Sequence, residues 1–69
     1  MEIIEIKSNW HPRPPDECLK SINDQIKDIQ KDYKVTVISM SKTQGFEHNE
    51  FIYEAFLSIE KKKFIVTKN

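Results

Sequence analysis

The segment Phe51-Ile52-Tyr53-Glu54-Ala55-Phe56-Leu57-Ser58-Ile59 decides the fold. A strand alternates its side chains between two faces, so Phe51, Tyr53, Ala55, Leu57 and Ile59 share one face and Ile52 and Phe56 the other. Both faces are therefore apolar. The rest of the chain shows one helical pattern, and one helix covers only one face of a small sheet. The second face is expected to be covered from outside the protomer, by another copy, a different protein or a ligand.

Length and charge narrow the options. Sixty-nine residues are read as one domain, residues 1–69. Ordering such a chain costs on the order of 100 kcal/mol at roughly 1.5 kcal/mol per residue, which a small core barely offsets. Chains of this size are commonly reinforced by disulfides, metal or association. Cys18 is the only cysteine, which excludes a disulfide within the protomer and a cysteine-rich zinc site. Association is what remains, in agreement with the two-faced strand. Eleven basic and eleven acidic residues leave a formal net charge of zero, whereas general nucleic-acid binding calls for a basic excess. No apolar run approaches the roughly 18 residues of a membrane span. The stretch Met1-Glu2-Ile3-Ile4-Glu5 has no basic leader pattern, and a lone cysteine suits a reducing compartment, so the cytoplasm is the expected location.

Working outward from the decisive strand, residues 1–7 alternate Ile4 and Ile6 against Ile3 and Glu5, the pattern of a short strand. Residues 8–15 hold all three prolines and form a stiff extended loop. A helix of about 18 residues is predicted to begin near Pro14 or Pro15, with Asp16 and Glu17 complementing its dipole. Leu19, Ile22, Ile26, Ile29 and Tyr33 recur at helical spacing and define its buried stripe. Burying those five contributes about 10 kcal/mol at roughly 2 kcal/mol each. A second strand is predicted over Lys34 to Met40, with Val35, Val37 and Ser39 on one face and Thr36, Ile38 and Met40 on the other. Ser41 to Glu50 is polar, carries the only glycine, Gly45, and reads as a long mobile hairpin connection. Lys61-Lys62-Lys63 reads as an anion-binding edge or, more readily, as a charged guard against edge-strand aggregation. Phe64-Ile65-Val66 continues the third strand, forms a short fourth strand at 64–66, or docks as a tail.

The order β-α-β-β predicts an α+β two-layer sandwich, one helix on a three-stranded, mainly antiparallel sheet. Its uncovered face offers Ile38, Met40, Ile52 and Phe56, roughly 300 Å² or more of apolar surface, which is unusual on a monomer. Those four are the expected oligomer interface.

One strand, one amphipathic helix and a long hairpin in a chain of this length resemble the dodecins, small flavin-binding proteins that assemble into hollow shells. The chain also resembles short sporulation-associated proteins of Bacilli and their phages, which share an Ile/Val-rich first strand, an acidic helix and a strand like Tyr53-Glu54-Ala55-Phe56-Leu57-Ser58-Ile59. Dodecins place a flavin-stacking tryptophan in the second strand, whereas Trp10 here precedes the helix. No cofactor is therefore expected.

The polar and aromatic candidates lie on the loops. Trp10, His11 and Arg13 form one cluster, in which a Trp face suits a base and a guanidinium suits a phosphate. Alternatively, Trp10 caps the open end of the core while Arg13 pairs with Asp16 and Glu17. Phe46 and His48 are the candidates on the second loop, Phe46 either as a contact residue or as a clamp on its own strands. His11 and His48 lack partners at ligand-like spacing, so no metal is expected. Cys18, beside the helical stripe, reads as a small core or interface residue. The carboxylates form no acid-base pair, and an enzyme is not expected. The sequence thus points to a non-enzymatic cytoplasmic binding protein, homo-oligomeric, of the kind a phage encodes to sequester or block a host component, such as a host protein. The alternative is a dodecin-like store for a nucleotide or flavin.

Overall fold

The computed structural model describes residues 1–62, and the segment 64–66 lies outside them. Pro15 opens helix α1 (Pro15–Ile29), with Pro14 as N-cap in an extended conformation (φ −57°, ψ 150°). A proline costs nothing in the first helical turn, because its missing N–H has no intrahelical acceptor there. Asp16 and Glu17 occupy that turn and Lys27 the last one, both signs complementing the dipole. Three strands make the sheet: β1 (Glu2–Lys7), β2 (Tyr33–Gln44) and β3 (Phe51–Lys61). Their spatial order is β1-β3-β2, with both pairings antiparallel. The small α+β fold, in the order β-α-β-β, is as expected.

The strand apolar on both faces is the central one. Ala55 and Leu57 of β3 are wholly buried, and Ile59 nearly so, beneath Ile22 of the helix. Ile4 and Ile6 of β1 and Tyr33 and Val35 of β2 pack around this cluster from either side. On the opposite face Phe56 remains 42% exposed.

Several boundaries differ from expectation, each for a physical reason. The helix ends at Ile29, and residues 30–32 turn the chain, with Asp32 N–H donating to the Ile29 carbonyl (3.1 Å). Tyr33 packs on the core as predicted, but from β2, where it pairs with Lys61. Its spacing from Ile29 continued the helical period by coincidence. Leu19 is 41% exposed, and Cys18 takes its place in the core. The rotation follows from ties on one flank of α1: Ser21 Oγ–H donates to the Ser8 carbonyl, and Gln25 Nε2–H to the Lys7 carbonyl (2.8 Å).

Strand β2 runs on through Gln44, so Ser41 to Gln44 belong to the hairpin and only residues 45–50 connect it. Its ladder slips between Val37 and Ser39: Val37 lies opposite Leu57, yet Ser39 lies opposite Phe56, leaving Ile38 as the extra residue of a β-bulge. A bulge inverts the alternation beyond it. Met40, opposite Ala55, therefore shares the helix-side face, and Ser39, opposite Phe56, the open face. This corrects the expected faces of both residues. Lys61 closes the central strand, so it guards no edge. The lysines on an edge strand of this sheet include Lys34 and Lys42 of β2.

Cys18 is fully buried. Its thiol donates to the Phe51 carbonyl (3.1 Å), with the Arg13 carbonyl at 3.4 Å, and accepts from Asn9 Nδ2 (3.6 Å). A thiol reacts as an exposed thiolate, and this one is closed off and hydrogen-bonded. Modification by an aromatic disulfide reagent is therefore expected only at the rate of unfolding, rising with urea. Immediate reaction in buffer would show that the loop over Cys18 opens freely.

A two-loop end as candidate binding site

The loop after β1 is tied to β3 at two points. Ser8, itself buried, donates its N–H to the Tyr53 carbonyl (2.8 Å) and accepts the Tyr53 N–H on its Oγ (2.9 Å). Arg13 exchanges both backbone hydrogen bonds with Phe51 (3.0 and 2.7 Å). Asn9 to Pro12 therefore form a short excursion with both ends fastened to the central strand. Prolines at 12, 14 and 15 restrict the backbone on its far side.

The second loop meets the first. Gly45 lies so close to Pro12 that a Cβ added there would stand 2.5 Å from the proline Cβ and 2.7 Å from its Cγ. Gly45 has no positive φ, so close approach is what requires glycine here. The loop is closed by Gly45 N–H donating to the Glu50 carbonyl (2.8 Å) and by Gln44 Nε2–H donating to the His48 carbonyl (3.3 Å). Residues far apart in sequence thus share one end of the molecule: Trp10, His11 and Arg13 on one loop, Phe46 and His48 on the other.

Three shallow cavities mark this end. One of about 340 Å³ is lined by Ser8, Asn9, Trp10, His11 and Arg13. A second, of about 350 Å³, lies between Asn9, Arg13 and the first turns of α1. A third, of about 320 Å³, is formed by Pro12, Gln44, Gly45 and Phe46. Asn9 and Arg13 line the first two together.

Of the two arrangements open for Trp10 and Arg13, the capped and ion-paired one is not what the structure shows. Trp10 is 94% exposed and caps no core. Arg13 pairs with neither Asp16 nor Glu17, and among the described residues its guanidinium makes no ion pair. The nearby Lys20, by contrast, is engaged by Asp24 at 2.9 Å. That hydrogen bond, reinforced by charge attraction, raises the Lys20 pKa and lowers that of Asp24. Phe46 is fully exposed and clamps nothing. His11 and His48 are exposed as well, and among the described residues no cluster of three or more metal-ligating side chains gathers.

Sequence reasoning missed Asn9, which joins two cavities, and the Pro12–Gly45 contact, which joins the loops. Asn9 stood beside Trp10 in the sequence, a signal that was available. The loop contact had none, since it arises only when β1 and the β2–β3 hairpin are laid on one sheet.

Fold and site together define a small α+β scaffold with two exposed aromatics, Trp10 and Phe46, and the Arg13 side chain on the two loops at one end. Comparison with protein-family models, with characterised proteins and with solved structures finds no match. Among the described residues, no helix is long and apolar enough to cross a membrane.

Proposed function

We propose that this chain is a non-enzymatic binding protein that acts through its two-loop end and associates with itself. The observation that carries the reading is the pair of exposed large aromatics, Trp10 and Phe46, with Arg13, which makes no ion pair among the described residues, on the Trp10 loop. Exposed tryptophan costs solvation and returns nothing to the fold, and Trp and Arg are the residues most enriched at binding hot spots. Recognition commonly sits on loops that a rigid scaffold holds in place. Sequestering or blocking a host component suits so small a chain without a nucleophile-base pair, and a phage-encoded inhibitor is the specific form of this reading.

Capture from a bacterial lysate, with mass spectrometry of both proteins and small molecules released, identifies the occupant. Alanine at Trp10, Arg13 or Phe46 is then expected to leave the melting temperature nearly unchanged. Binding should weaken by roughly 1 to 3 kcal/mol for at least one of the three. Unchanged binding in all three variants would move the working surface elsewhere.

A nucleotide or flavin is the second reading, favoured by the cavity that Trp10 and Arg13 share. Trp10 is the only tryptophan, so its fluorescence reports this site alone. Stacking of a base on the indole should quench it during titration with nucleoside monophosphates or flavin mononucleotide, and a flat titration counts against this reading.

A further inference from the structure

Among the described residues strand β2 is an edge of the sheet, and from Thr36 to Gln44 every residue is exposed. Val37 (46%), Ile38 (52%) and Met40 (43%) are three of the nine large hydrophobics left exposed among the described residues, which makes this edge the densest apolar run on the surface. An edge strand presents unpaired backbone donors and acceptors to any strand that can match it. We infer that β2 pairs antiparallel with β2 of a second copy, joining two sheets into one of six strands. The inference rests on the self-association part of the proposed function and names its surface.

The bulge selects the partner and the register. Residues opposite each other in an antiparallel pair point to the same face. On β2 the helix-side residues are Tyr33, Val35 and Val37 before the bulge and Met40, Lys42 and Gln44 after it. A two-fold pairing keeps faces matched only if a residue before the bulge meets one of opposite parity beyond it. The register that sets Val35 against Met40 of the second copy does this. It also sets Val37 against Ile38, Thr36 against Ser39, Lys34 against Ser41 and Tyr33 against Lys42 of the second copy. The apolar residues of the edge then meet one another.

Charge agrees with the match. Without the bulge, Lys34 and Lys42 would share a face, and a two-fold centred on Ile38 would set them opposite each other. With it, Lys34 lies on the open face and Lys42 on the helix side, where its ammonium sits 4.9 Å from the centre of the Phe51 ring. No lysine then faces a lysine. The symmetry axis passes between Val37 and Ile38, through the bulge itself, so both strands bend at the same level. A straight strand would diverge from this kinked edge. A second copy is kinked to match.

Such an axis stands perpendicular to the sheet and leaves both helices on one side of it. The flank of α1 carrying Leu19, turned away from the Ser21 and Gln25 ties to the β1 side, faces the seam. The edge mode uses Ile38 and Met40 of the expected interface and leaves Ile52 and Phe56 on the open face.

Light scattering across a micromolar concentration series, on wild type and three variants, tests the inference. Wild type should show twice the protomer mass. T36K with S39K, which places lysine against lysine across the seam at exposed positions, should halve that mass while circular dichroism stays native. T36E with S39K restores opposite charges and should return the dimer. F56E, on the open face, should leave the dimer intact. A wild-type chain that stays monomeric overturns self-association altogether. A wild-type oligomer that T36K/S39K leaves intact, or that F56E dissociates, overturns the edge mode alone.

Discussion

Replacing Ile22 by Ala is expected to remove about 2 to 5 kcal/mol of stability, the range for large-to-small changes at fully buried positions. A chain of this size holds only about 3 to 10 kcal/mol at roughly 0.05 to 0.15 kcal/mol per residue, so the loss is a large share of the total. The position is singular. Ile22 is 1% exposed and is the helix residue seated in the buried cluster of Ala55, Leu57 and Ile59. Truncating it opens a cavity between the two layers, where neither side can close in without moving a whole element. Leu19→Ala on the same helix should cost less than about 1 kcal/mol, because a side chain 41% exposed loses little burial. Urea midpoints of the two variants, measured together, check the contrast. Similar losses would mean that the helix is rotated from the position described.

The second large effect is expected at Gly45. A methyl group there meets the Pro12 ring at 2.5 and 2.7 Å, well inside contact distance, and a proline ring cannot rotate out of the way. Gly45→Ala should therefore push the two loops apart, at a cost of about 1 to 3 kcal/mol, the usual penalty of overpacking. For a domain of this length each kcal/mol corresponds to a melting temperature lower by about 4 to 8 °C. Since the contact joins the loops that carry Trp10 and Phe46, binding should fall together with stability. Adding Pro12→Gly removes the opposing ring atoms and should recover part of the thermal loss relative to Gly45→Ala alone. If Gly45→Ala melts like wild type, the loops are not held against each other.

Much of the architecture was legible in the sequence. Alternation over Ile3 to Ile6 and over Phe51 to Ile59 placed two strands and assigned their faces as they occur. The prolines and the acidic pair at 16 and 17 placed the start of the helix near Pro14 or Pro15, and it begins at Pro15. These are local signals, carried by steric limits on proline and by the periods of helix and strand. The candidate residues were legible in kind as well: an aromatic, a guanidinium and a second aromatic on loops that the core does not require.

What local pattern left undecided depends on registers that only neighbouring elements set. Val37 and Ile38 side by side, followed by Met40, break strict alternation, yet nothing in that run says on which side of the break the faces change. Pairing with β3 decides it, because each backbone rung must find its partner, and the bulge turns Met40 toward the helix side. The helix could have buried Leu19 or Cys18. The hydrogen bonds of Ser21, Gln25 and the Cys18 thiol to the loop and the sheet choose Cys18. In the sequence Trp10 and Arg13 read more readily as structural, and their freedom from the core and from Asp16 and Glu17 emerges only once Ser8 and Arg13 are fastened to β3. The sequence by itself determined the elements and the chemistry at their ends. Contacts between residues distant along the chain decided which faces are covered and which side chains are left exposed.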